Sequence, residues 1–106
     1  MEVTAFRQDG MLTIKPSIGR LDASVAQDFE ESCARRAQGE SRLAIDMSAI
    51  VFVDSAGLGA LVSVLRSLGE GARLRLVGAT RNVRTLLQLT RLDKVFELGE
   101  PPQAAS

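Results

Sequence analysis

Ser55 carries a hydroxyl in a position where it could accept a phosphoryl group. The apolar run from Ile50 to Val53 leads into Asp54 and Ser55, and apolar residues at helical spacing follow from Leu58 onward. The start of a helix offers unpaired amides and the positive end of the helix dipole, so a phosphoserine is tolerated there. In the alternative interpretation, Asp54 or Ser55 is only the N-cap and accepts a hydrogen bond from the amide of Gly57 or Leu58. The local pattern leaves both interpretations open.

Composition argues against a hydrolytic role for this serine. No histidine occurs among the 106 residues, which removes Ser–His nucleophilic triads and histidine metal sites. The nucleophile elbow Gly-x-Ser-x-Gly needs a glycine where Val53 stands. The single cysteine, Cys33, cannot form a thiolate zinc cage within one chain, and it is predicted to be a buried, inert thiol. We therefore expect a protein that is not an enzyme and that uses no metal or cofactor.

Few features of the sequence indicate binding to nucleic acids, nucleotides or membranes. The thirteen basic and thirteen acidic residues cancel, and the arginines of the second half are spread over several predicted elements. Gly57-Leu58-Gly59 supplies only two glycines of the dinucleotide-binding pattern, with Val62 in the third position. No apolar run approaches the roughly 18 residues that a membrane span needs, and the first residues lack the features of a secretory signal. We expect a cytoplasmic protein without direct nucleic-acid contact or membrane insertion.

The first half of the chain predicts a hairpin followed by a helix. Val3 to Arg7 and Met11 to Lys15 are strand-like runs, and the Asp9-Gly10 pair between them is a strong hairpin signal. Ser24 and Gln27 have the spacing of a capping box, which predicts a helix that starts at Ser24. The inner face of this helix should carry apolar residues that recur every four positions: Val25, Phe29, Cys33 and Ala37.

Strands and helices alternate in the second half. Strands are predicted at Leu43 to Met47, Leu74 to Gly78 and Val95 to Leu98, and helices at Leu58 to Leu68 and after Thr80. The inner face of the helix after Thr80 should carry Val83, Leu86, Leu87 and Thr90. Such alternation predicts one α/β domain, with a mixed four- to five-stranded sheet and helices packed on it. We assign the domain to residues 1–98 and a flexible C-terminal tail to residues 99–106, which contain two prolines.

These segments together resemble the STAS domain family, the fold of bacterial anti-sigma factor antagonists and of the cytoplasmic part of sulfate-type transporters. The matching motifs are Gly19-Arg20-Leu21-Asp22, the run from Leu43 to Ser48, the run from Val53 to Leu58, and Gly78 after the fourth strand. The resemblance spans about Val3 to Leu98.

The resemblance implies a switch that is set by a partner kinase. In stand-alone antagonists of this family, a serine-kinase anti-sigma factor phosphorylates the matching serine, and a metal-dependent serine/threonine phosphatase removes the phosphate. The unphosphorylated antagonist binds the kinase and releases its sigma factor. The resemblance therefore implies that Ser55 is the phosphoacceptor and that Asp46 helps to hold a connecting loop. The implied partner-binding residues are Asp22, Asp54, Ser55, Ala56, Gly57 and Leu58.

One alternative within the same fold remains. The chain could be a STAS subunit that docks permanently in a membrane-transport ATPase or a sensory complex, without a phospho-switch. In that case Ser55 would serve only at the start of its helix.

Overall fold

The computed structural model describes residues 1–100 of the 106-residue chain. The strands are β1 (Val3–Gln8), β2 (Met11–Pro16), β3 (Arg20–Leu21), β4 (Arg42–Asp46), β5 (Phe52–Val53), β6 (Arg73–Val77) and β7 (Glu97–Gly99). The α-helices are α1 (Ala26–Ala37), α2 (Ser55–Ser67) and α3 (Arg81–Leu89), and a short 3₁₀ turn spans Leu92–Lys94.

Five of the strands form one mixed sheet in the order β1-β2-β4-β6-β7. The β1–β2 pair is antiparallel, and the other neighbours in this sheet are parallel. Parallel neighbours need crossover connections, and α1, α2 and α3 supply them. The predicted α/β domain with a mixed sheet and packed helices is confirmed.

The hairpin between β1 and β2 has a two-residue turn made by Asp9 and Gly10. Gln8 pairs with Met11 across the turn. Asp9 has φ of 53° and Gly10 has φ of 78°, so both central residues lie in the left-handed region. A type I′ turn requires this geometry, and Asp-Gly is one of the residue pairs that adopt it readily. The hairpin prediction is confirmed.

The core lies between the helices and one face of the sheet. Leu12, Leu43 and Leu74 are neighbours in register across β2, β4 and β6, and Ile14, Ile45 and Leu76 form the next such row. Side chains two positions apart on a strand share a face, so both rows point to the same side. Phe29 of α1, Leu61 of α2 and Leu87 of α3 are fully buried in the same cluster.

The predicted start of α1 at Ser24 is wrong. The helix begins at Ala26, and Val25 occupies the N-cap position without a side-chain cap. The capping box does not form, because the Asp22 carboxylate accepts hydrogen bonds from both the amide and the hydroxyl of Ser24. Gln27 donates its side-chain amide to Glu31 instead of returning to the helix start. A local Asx turn therefore replaces the capping box.

Two details near the C-terminus also differ from the prediction. Thr90 is exposed, and its hydroxyl donates to the carbonyl of Leu86, because α3 ends at Leu89. The last strand begins at Glu97, not at Val95, and it includes Gly99, one residue past the predicted domain boundary. Residues 101–106 of the predicted tail lie outside the described residues.

Candidate functional site

The Asp54 side chain caps α2, and the Ser55 hydroxyl takes no part in this cap. Asp54 has extended backbone angles, and its Oδ1 accepts a hydrogen bond from the amide of Gly57 at 2.9 Å. Ser55 is the first residue of the helix, and it is exposed. Within residues 1–100, its hydroxyl makes no hydrogen bond. Asp54 was one of the two N-cap residues expected from sequence, so the capping role of this pair belongs to the carboxylate.

Asp54 also connects the segment between β3 and α1 to the start of α2 through hydrogen bonds. Its Oδ2 accepts a hydrogen bond from the amide of Ala23 at 3.2 Å, and its own amide donates to the Leu21 carbonyl at 3.3 Å. The parallel pairing of Leu21 with Val53 brings these two segments together. Because both carboxylate oxygens are bonded within the chain, Asp54 positions the site and has limited capacity left for a partner.

Asp22 is likewise engaged within its own loop. Its Oδ1 accepts from the Ser24 hydroxyl at 2.6 Å and from the Ser24 amide at 3.1 Å, and its Oδ2 accepts from Arg20 Nε at 3.4 Å. The hydrogen bond from the Ser24 hydroxyl, aided by Arg20, holds the pKa of this carboxyl below its ordinary value. The Arg20 guanidinium also lies 4.2 Å from the centroid of the Phe52 ring, a cation–π contact.

Gly57 leaves room for a strand of its own chain. A glycine at the start of a helix can let another chain or a phosphate approach the backbone closely. In the structure Gly57 is buried, and a Cβ there would overlap the Leu21 carbonyl oxygen and lie 2.9 Å from Val53 Cγ1. The space left by the missing side chain of Gly57 is therefore occupied by β3 of the same chain. Gly59 is exposed instead, with no atom within 4 Å of its Cβ position.

The segment that leads into α2 exposes apolar side chains. Val51 is 60% exposed and Phe52 is 40% exposed, although both lie in the apolar run from Ile50 to Val53. Together with Asn82 and Leu86 of α3, they line a hollow of about 210 Å³. Only Ile50 and Val53 of the run point into the core. Because all four residues of the run are apolar, no alternation of polar and apolar residues indicates which of them are exposed.

The remaining predicted site residues are distributed as follows. Ala56 and Leu58 are half-buried on the first turn of α2, and Leu58 packs against the core. Asp46 ends β4, and its Oδ1 accepts from the Ser48 amide at 2.9 Å, so it holds the loop that follows. The structure therefore brings Asp22, Asp54 and Ser55 to one end of α2, whereas Asp46 lies at the end of β4 and holds the loop that follows this strand.

The described part of the chain has neither a cluster of metal ligands nor a membrane-spanning helix. No group of three or more acidic, cysteine or histidine side chains within residues 1–100 is arranged to hold a metal ion. None of the helices in the same range is both long enough and apolar enough to cross a membrane.

The chain is thus a small α/β module with an exposed serine at the first position of a capped helix, and comparison with known proteins identifies its family. A model of the STAS domain matches residues 3–105. The chain therefore belongs to the STAS domain family.

Known proteins of this family resemble the chain over most of its length. A STAS-domain containing protein of Pseudomonas aeruginosa strain UCBPP-PA14 is 32% identical over an alignment of 103 residues, which covers 93% of this chain and 100% of that protein. The crystal structure of an anti-sigma factor antagonist from Mycobacterium paratuberculosis has a TM-score of 0.80 and 29% identity, over 96% of this chain and 86% of that one. The Bacillus cell fate determinant SpoIIAA, in its phosphorylated form, has a TM-score of 0.68 and 17% identity, over 96% of this chain and 93% of that one.

Proposed function

We propose that this protein is an anti-sigma factor antagonist that works by partner switching. The unphosphorylated form binds a serine-kinase anti-sigma factor and thereby releases its sigma factor. Phosphorylation of Ser55 by that kinase ends the binding, and a metal-dependent serine/threonine phosphatase restores it. The protein acts in the cytoplasm and has no catalytic activity of its own.

The observation that carries this proposal is the free hydroxyl of Ser55. A serine at a helix start usually accepts a hydrogen bond from a backbone amide and so contributes to folding. Here Asp54 performs that task, and Ser55 is exposed without a hydrogen bond in residues 1–100. The fold therefore gives no reason for the hydroxyl, whereas a kinase can reach it.

The surroundings of Ser55 explain how a phosphate would act as a switch. Phosphorylation adds about −1.5 to −2 charges at pH 7, and unpaired amides at a helix start favour such a group. The folded domain accommodates the phosphate because Ser55 is exposed. Val51 and Phe52, which precede Ser55 by four and three residues, are exposed and apolar, so a partner that covers this segment and Ser55 would have to desolvate the phosphate. The phosphate therefore weakens docking and leaves the fold intact.

Two of the similar proteins support the proposal. The similar structure from Mycobacterium paratuberculosis is that of an anti-sigma factor antagonist, and its sequence is 29% identical to this chain. SpoIIAA shares the fold and has been captured in a phosphorylated form. We carry the binding of an anti-sigma factor and the phosphorylation over to this chain as parts of the proposal.

A phosphorylation assay tests the proposal directly. The protein is incubated with the candidate kinase and ATP, and the modified residue is located by mass spectrometry. We expect one phosphate, on Ser55, and none on the Ser55→Ala variant. Ser41→Ala serves as the matched control, because Ser41 is also an exposed serine but precedes β4. Phosphate at another residue would refute the assignment of Ser55. Equal affinity of the modified and unmodified forms for the kinase would favour permanent docking without a switch.

A further inference from the structure

A second site lies away from Ser55, in a crevice between α3 and the carboxyl ends of three parallel strands. The crevice has a volume of about 500 Å³. Ser48 reaches it from the loop after β4, Gly78 directly follows β6, and Glu100 directly follows β7. Clefts of about 300–1,000 Å³ are the usual size of small-molecule sites, and the carboxyl ends of parallel strands are a frequent location.

The crevice has an apolar floor and a polar rim. Leu98 of β7 is half-buried and forms the floor, whereas Leu76 of β6 is fully buried in the core and offers no surface to a ligand. Arg84 and Gln88 lie one helical turn apart on α3 and form one wall with their side chains. Glu100 stands at the end of β7 and also lines the crevice.

The two charged side chains of this crevice do not neutralise each other. The ion pairs formed within residues 1–100 join the amino terminus to Asp28, Arg7 to Glu40, Arg20 to Asp22, and Arg73 to Glu97. Neither Arg84 nor Glu100 takes part in any of them. A cation and an anion therefore line one crevice above an apolar floor, and each remains available to a ligand.

We propose that this crevice binds a free α-amino acid with an apolar side chain. The carboxylate of the ligand accepts hydrogen bonds from the Arg84 guanidinium, whose planar fork matches a carboxylate. The ammonium group of the ligand donates to the Glu100 carboxylate. The apolar side chain of the ligand packs on Leu98. A simple anion is disfavoured by Glu100 and a simple cation by Arg84, so the two charges together select a zwitterion.

Titration of the full chain with L-leucine, followed by amide chemical shifts in NMR spectra, tests this proposal. We expect saturable shifts at Gly78, Ala79 and Gly99, which border the crevice. Two analogues provide the comparison: 4-methylpentanoic acid lacks the ammonium group, and 3-methylbutylamine lacks the carboxylate. Each should bind about ten-fold more weakly than leucine, or worse, because one charge-assisted hydrogen bond is lost and one charge of the site is left unpaired.

Variants of the two charged residues complete the test. Arg84→Met should abolish the preference for leucine over the amine, and Glu100→Gln should abolish the preference for leucine over the acid. Arg81→Met is the matched control, because Arg81 is exposed on the same helix but does not line the crevice. The proposal is overturned if leucine causes no saturable shifts up to millimolar concentrations. It is also overturned if the two variants bind leucine as well as the unchanged protein does. The test is independent of Ser55 phosphorylation.

Discussion

The side chain of Asp54 accepts a hydrogen bond from the backbone amide of Ala23, which lies 31 residues earlier in the chain, at 3.2 Å. The same carboxylate accepts from the amide of Gly57 and so caps α2. One residue therefore fixes the start of the helix and the loop before α1 in a single arrangement. The surface around Ser55 is held in place before any partner arrives, which reduces the entropic cost of binding.

Replacement of Asp54 should destabilise the fold through both of its contacts. Asp54→Ala removes the cap of α2 and the acceptor for the Ala23 amide, so we expect a loss of about 2 kcal/mol in the free energy of unfolding. Asp54→Asn keeps one acceptor oxygen and should lose less. Urea denaturation monitored by circular dichroism measures both values. An Asp54→Ala variant as stable as the unchanged protein would show that these hydrogen bonds are unimportant.

Two glycines of α2 should respond to alanine in opposite directions. Gly57→Ala places a methyl group against the Leu21 carbonyl oxygen, and we expect a loss of about 1–3 kcal/mol from overpacking. Gly59→Ala meets no atom within 4 Å, so the higher helix propensity of alanine should stabilise the protein by about 0.5–1 kcal/mol. Thermal unfolding of the pair provides an internal control. Equal melting temperatures would contradict the close approach of Gly57 to β3.

Much of the fold was predictable because its signals are local. The Asp9-Gly10 turn, the apolar spacing of α1 and α2, and the capping of α2 by Asp54 each depend on a few neighbouring residues. The alternation of strands and helices then limits the architecture to an α/β fold. These features were confirmed because no distant contact overrides them.

Features that depend on distant contacts were not predictable. The pairing of β3 with β5 joins two strands of only two residues each, which show no periodicity. The direction in which Gly57 faces follows from this pairing, so its role in packing could not be deduced. The capping box at Ser24 failed for a local reason, because Asp22, two residues earlier, accepts hydrogen bonds from the Ser24 amide and hydroxyl. The exposure of Val51 and Phe52, which precede Ser55 by four and three residues, was also not predicted.

The thiol of Cys33 should be unreactive in the folded protein. Its side chain is fully buried, and burial raises its pKa to about 12. Because only the thiolate attacks an alkylating reagent, iodoacetamide should label the native protein slowly near neutral pH. Labelling should become fast in urea, over the same concentration range in which the protein unfolds. Rapid labelling of the native form, measured by mass spectrometry, would show that Cys33 is accessible.

Substitutions of Ser55 should separate stability from binding. Ser55→Ala removes a hydroxyl that the fold does not use, so we expect the free energy of unfolding to change by less than about 0.5 kcal/mol. This variant should still bind the kinase. Ser55→Asp should weaken the binding by adding charge at the docking surface, although a carboxylate imitates a phosphate only in part.

The matched control for this charge is Ser41→Asp, which adds a carboxylate at an exposed serine before β4. Isothermal titration calorimetry with the kinase measures all three variants. If Ser41→Asp weakens binding as much as Ser55→Asp does, total charge is responsible and the position of the charge is not.

The stability of the domain should fall in acid partly through Asp22 and Glu40. Hydrogen bonds from Ser24 to Asp22 and from Arg7 to Glu40 lower the pKa of each carboxyl. A carboxyl with a lowered pKa stabilises the fold above its ordinary pKa, and this contribution is lost as the pH falls through the lowered value. Asp22→Asn cannot ionise, so its unfolding free energy should vary less with pH in the acid range. Urea melts across that range measure the slope, and equal slopes would contradict the prediction.

The capping of α2 by Asp54 alone has a consequence for how position 55 can evolve. Since the carboxylate alone caps α2, codon 55 can change without a folding penalty. Under the proposed function, a lineage could therefore lose or regain the phosphate acceptor at this position while the fold persists. Diversity at this one position among descendants would then record changes of regulation and not changes of architecture.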